Sequence, residues 1–98
     1  MTTVEFVEYI LRTEPKALSC HLGHAIGTEG NAQAHAVAIC VGVADDGTRH
    51  RNGLAEYFWL VKNEYCPQIT GVFIFEHGTE RVLGQYTCGS GEDSGETN

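Results

Sequence analysis

Ala32-Gln33-Ala34-His35-Ala36-Val37-Ala38-Ile39-Cys40-Val41-Gly42-Val43-Ala44 is the stretch whose reading decides the fold. Side chains of an extended chain alternate between two faces. His35, Val37, Ile39, Val41 and Val43 therefore fall on one side, and Ala34, Ala36, Ala38, Cys40 and Gly42 on the other. Neither side carries a charge, which marks a central strand: the branched face lies in the core, and the small-residue face admits close approach by a helix or a second chain.

Downstream, Asp45-Asp46-Gly47-Thr48 has the composition of a hairpin connection, with Gly47 free to take positive φ, and Thr48 to Arg51 reads as a short polar return strand. A helix is expected from about Leu54 to Tyr65, with Leu54, Phe58, Val61 and Tyr65 on its inward stripe and Cys66-Pro67 as its stop. Ile69 to Glu76 and Glu80 to Cys88 read as strands joined through His77-Gly78. The expected register sets Glu76 against Thr79, Phe73 against Val82 and Gly71 against Gly84.

Upstream, Thr2 followed by Glu5 forms a capping box that opens a helix. At roughly 100° per residue, Val4, Phe6, Val7, Ile10 and Leu11 share one half of it, opposite Glu5, Glu8 and Arg12. Pro15 then suits the first position of a second short helix, running to about Ile26 with Gly27 as its stop and Leu18, Leu22 and Ile26 as its buried stripe. The expected architecture is α+β, a mostly antiparallel four-stranded sheet with helices packed on one face, in the order α(α)ββαββ. Residues 1–88 are expected to form one compact domain, and residues 89–98, without an apolar side chain, a disordered acidic tail.

The formal charge is −7, of which three acids (Glu92, Asp93, Glu96) belong to the tail, leaving −4 for residues 1–88. Nucleic-acid binding needs a basic stripe, and Arg49-His50-Arg51 is the single short cluster, so direct contact with nucleic acid is disfavoured. An acidic balance suits a partner protein with a basic surface. There is no apolar run of 18 or more residues, and Glu5 and Glu8 interrupt any secretion signal, which points to a cytoplasmic protein without membrane contact. Cys20, Cys40, Cys66 and Cys88 are spaced by 20, 26 and 22 residues, matching no common metal ribbon or redox motif, and free thiols are expected.

Two features invite a functional reading. On a helix from Pro15 to Ile26, Cys20, His21 and His24 would face outward together at spacings that converge on a tetrahedral zinc, with His35, Cys66, Cys88 or water as fourth ligand. Zinc is the only cofactor the chain suggests, and a run of this kind is far less specific than paired Cys-x-x-Cys motifs. Cys20 or Cys66 beside a histidine could also serve as a nucleophile, although no local signature of an oriented base or oxyanion site accompanies either. His35, His50 and His77 have structural explanations at a strand start, a polar segment and a tight turn.

The second feature is Trp59 with Leu60. If the inward stripe is Leu54, Phe58, Val61 and Tyr65, both project to the opposite half beside Glu56, with Tyr57 at the edge, as a protein-binding or self-association surface. The leading expectation is a non-catalytic protein-binding module, such as a small acidic inhibitor of the kind found among phage and mobile elements (anti-CRISPR and immunity proteins), or a homodimer using the same surfaces. A zinc-binding regulatory domain and a small cysteine-dependent enzyme are the alternatives.

Overall fold

A computed structural model describes residues 1–29, 32–47 and 50–87, with the backbone alone considered at 25–29 and 32–36. The elements are α1 (Thr3–Thr13), β1 (Ser19–Glu29), β2 (Ala32–Val43), α2 (Asn52–Tyr65), β3 (Gly71–Glu76) and β4 (Val82–Thr87). They form an α+β fold whose single sheet runs β1-β2-β3-β4. β1 with β2 and β3 with β4 are antiparallel, while β2 and β3 are parallel, so the sheet is mixed. A parallel pair requires a crossover, and α2 supplies it.

α1 begins as its first residues dictate. Glu5 N–H donates to Thr2 Oγ1 at 3.1 Å and Thr2 N–H to Glu5 Oε1 at 2.8 Å, closing the capping box. The bond from Thr2 N–H holds the Glu5 carboxyl below its ordinary range. Phe6 and Ile10 are fully buried, whereas Val4 and Leu11, on the flank of the expected apolar half, are exposed.

β2 occupies the interior of the sheet as its alternation requires. Ile39, Val41 and Val43 enter the core beneath the helices, together with Val72 and Ile74 of β3 and Leu83 of β4. Ala38, Cys40 and Gly42 take the other face, where the register sets Cys40 beside Phe73 and Gly42 beside Phe75. Gly42 is required here, because a Cβ would meet Ser19 Oγ and lie 3.0 Å from Phe75 Cζ.

Three local expectations are corrected. First, the Pro15 to Ile26 helix is absent, and β1 occupies that sequence as the antiparallel partner of β2. Leu18, Leu22 and Ile26 are spaced by four, which satisfies one face of a helix and equally one face of a strand. The choice falls to pairing: β2 has a free edge on the side away from β3, and β1 fills it. Cys40 Sγ would lie 3.2 Å from a Cβ on Gly23, so β1 approaches β2 closely at that position.

Second, β2 takes its antiparallel neighbour from upstream, so no return strand is present among the described residues after Asp45 and Asp46. Thr48 and Arg49 lie outside them. Gly47 has the expected positive φ, at 91°.

Third, the β3–β4 turn is longer than two residues. Glu76 N–H donates to Arg81 O at 2.9 Å, so His77 to Glu80 form the loop and Gly78 takes φ 88°. Gly71 consequently pairs with Thr87, Phe73 with Gln85 and Ile74 with Gly84, followed by an irregularity after Ile74. Thr79 fastens the loop by donating from N–H and Oγ1 to Glu76 O, and Arg81 joins Glu76 Oε1 at 2.9 Å to Asp45 Oδ2 at 3.2 Å. These side-chain ties hold a register that a two-residue turn could not. The 89–98 tail and Cys88 lie outside the described residues.

Candidate functional site

α2 carries the proposed contact residues, and its orientation differs from the expected one. Ala55, Phe58 and Lys62 are buried, Leu54 and Val61 are partly buried, and Tyr65 is 37% exposed with its ring 5.1 Å from that of Tyr9. This inward face is turned so that Trp59 reaches the core, where its ring lies 4.8 Å from that of Tyr86 on β4. Lys62 covers the indole from the helix side, with Nζ 4.1 Å from the ring centroid and 3.2 Å from Pro67 O. A lysine stem buried along apolar surface with its ammonium against an aromatic face and a carbonyl explains why a charged residue sits in this core. Trp59 is thus half-buried against its own subunit.

Its neighbours remain outside. Leu60 is 62% exposed and Tyr57 44%, with Glu56 also exposed. Glu64, which the sequence reading did not single out, completes a row: Glu56, Leu60 and Glu64 recur every four residues and therefore share one face of the helix. The i+4 spacing from Leu60 was the available signal. Tyr57 is held in place because its hydroxyl donates to Glu14 Oε2 at 2.7 Å, and that bond to a carboxylate pushes the phenol up from its ordinary range. Lys62, the one base of α2, points inward, leaving this outer face acidic around an apolar centre.

The Cys20, His21 and His24 group is not brought together. In β1, Cys20 pairs with Val41 and His24 with Val37 on the helix-covered side, while His21 pairs with Cys40 on the opposite side. Cys20 and His24 stand roughly 13 Å apart at about 3.3 Å per residue, well beyond the span of one tetrahedral metal. His21 instead lies edge-on to Phe75 at 5.5 Å. No group of three metal-ligating side chains occurs among the described residues. Of the proposed fourth ligands, Cys66 is buried in the core, while the His35 side chain and Cys88 are not among those described.

The thiols are chemically quiet. Burial, with a smaller contribution from the nearby Cys40, pushes Cys20 up to about 12, and burial also raises Cys40 and Cys66. At neutral pH these thiols stay protonated, the opposite of what a nucleophile needs. The native fold therefore favours the thiol form of Cys20. This contributes stability in full below about pH 9 and is lost as pH rises toward 12. Chemical unfolding from pH 8 to 11 should show stability falling with pH and a shallower decline in Cys20→Ser; identical slopes would refute the shift.

The helix-free face of the sheet holds a shallow groove of about 220 Å³, lined by His21, Cys40, Phe73, Phe75, Thr79, Glu80 and Val82. The alternation of Phe73 and Phe75 with Val72 and Ile74 foreshadows it, though placing His21 there required β1. On the basic side, Arg51 is bonded to Asp46 at 2.9 Å and Arg81 to Glu76 and Asp45, which leaves these guanidiniums engaged within the chain. No helix among the described residues is long and apolar enough to cross a membrane. Compared with known protein families, curated proteins and solved structures, the chain finds no match in any of the three.

Proposed function

We propose that this chain is a non-catalytic protein-binding module of the cytoplasm that docks through the outer face of α2 onto a basic surface of another protein. The observation that carries the reading is Leu60, well exposed between Glu56 and Glu64, with Tyr57 braced beside it. A central apolar side chain ringed by like charges fits a recess rimmed by lysine or arginine: burial supplies affinity, and the carboxylates supply steering and register. Trp59 contributes from beneath by setting the helix against Tyr86. A small acidic inhibitor acting by contact, of the anti-CRISPR or immunity kind, matches this chemistry, since such a surface can occlude the basic face with which a target holds nucleic acid.

Capture from the native host identifies a partner, and titration with the purified partner tests the reading. Leu60→Ala should weaken binding about fivefold or more, since truncating a hot-spot anchor costs over about 1 kcal/mol. Glu56→Arg with Glu64→Arg should slow association and reverse its salt dependence. A partner bound equally well by both variants would remove α2 from the interface.

A further inference from the structure

The β1–β2 hairpin is longer than the sheet it belongs to. β3 pairs with β2 only from Ala38 to Val43, and among the described residues no strand lies beside β2 from Ala32 to Ala36. The side to which each backbone group of this stretch points follows from the hydrogen bonds further along. Val37 O and Val43 O accept from Thr70 N–H and His77 N–H on the β3 side, whereas Gly42 O accepts from Leu18 N–H on the β1 side. Odd-numbered residues of β2 therefore direct N–H and C=O toward β3, and even-numbered ones toward β1. Val37 is already engaged on both groups, since its N–H also donates to Thr70 Oγ1 at 3.3 Å. Continuing the alternation, Gln33 and His35 direct one donor and one acceptor each toward the side on which no described strand lies.

We infer that this edge is a self-association surface, on which a second copy of the chain pairs antiparallel with β2 about a two-fold axis through Ala34. An antiparallel pair must oppose outward-facing residues to outward-facing residues. With Ala34 across from Ala34, Gln33 of one copy meets His35 of the other, twice, and the four backbone bonds use the N–H and C=O of both residues. Moving the axis by one residue toward Val37 would demand groups that Thr70 already occupies. The segment suits the axis: Ala-Gln-Ala-His-Ala is nearly a palindrome. Its close, non-hydrogen-bonded central position, where Cα atoms approach to about 4.5 Å, falls on alanine. The usual devices that keep an edge from pairing are lysine, proline or a bulge. Residues 32–37 contain neither lysine nor proline, and the β1–β2 register runs without a break from Ser19 to Glu29. A two-stranded arm is marginal alone in water, and a third and fourth strand supply what it lacks. The chain's own last residues are a poor competitor, because Gly89 to Asn98 are glycine-rich and acidic.

The association is independent of the α2 surface. Light scattering of the full chain at about 100 μM, coupled to size exclusion, should give twice the 10.7 kDa of one chain. Ala34→Lys and Ala34→Glu each set like charges directly across the axis and should each run at single mass. An equimolar mixture of the two should return to double mass, because the charges are then opposite. Circular dichroism of each variant checks that the fold is kept. Wild type at single mass, double mass surviving in either variant, or failure of the mixture to recover would overturn the proposal.

Discussion

Gly84→Ala is expected to lower stability by about 3 kcal/mol, the upper end of the usual cost of overpacking. A Cβ at this position would run into the carbonyl carbon and oxygen of Arg51 and lie 2.7 Å from Asn52 N. All three obstacles are backbone, so none can rotate away. The loop cannot retreat either, because Arg51 N–H donates to Leu83 O at 2.9 Å and Asn52 Oδ1 accepts from Gln85 N–H at 3.1 Å. These bonds stitch the start of α2 to β4 on both sides of Gly84, and the absent side chain permits the stitch. For a domain of this size, Tm should fall by more than about 10 °C. Gly53, one residue into α2, has nothing within 4 Å of its own hypothetical Cβ. Gly53→Ala should therefore be neutral or stabilise by up to about 1 kcal/mol. Equal melting of the two variants would mean that α2 does not enter over β4 as described.

Phe58→Ala should cost about 3 to 5 kcal/mol, the range for deleting a buried aromatic ring. Phe58 is 1% exposed and, with Phe6, is one of the two largest fully buried side chains. It joins α2 to the cluster that also holds Ile10, Ile39, Val72 and Ile74. Loss of this ring leaves a cavity between α2 and the sheet that the β3 and β4 backbones cannot collapse to fill. Leu60 lies two residues away on the outside of the same helix, and Leu60→Ala should change stability by less than about 0.5 kcal/mol. The contrast separates fold from interface: denaturation should distinguish Phe58→Ala sharply from wild type and leave Leu60→Ala unmoved. A large loss in Leu60→Ala would place that residue in the core and withdraw it from any docking surface.

The parts legible in the sequence were those where local pattern and tertiary demand coincide. The capping box at Thr2 and Glu5, the uncharged alternation of β2 and the positive φ of Gly47 each follow from neighbours a few residues away. Errors arose where one pattern served two structures. Leu18, Leu22 and Ile26 fit a helix and a strand alike, and the choice lay with β2, which required a neighbour on the edge that β3 leaves free. With the helix went the convergence of Cys20, His21 and His24. The reading of Trp59 as outward failed for another reason: Lys62 Nζ lies 4.1 Å from the indole centroid and 3.2 Å from Pro67 O, and no local pattern announces a lysine held there.

The chain's local order alone determined the α+β class, the central place of residues 32–43 and the amphipathic character of both helices, because alternation, capping and helical periodicity act over a handful of residues. Only the folded molecule decided which strand borders β2 and which side of α2 faces water. Those outcomes depend on pairing between segments distant in the chain, where each strand's edge is satisfied by whatever the other elements leave beside it.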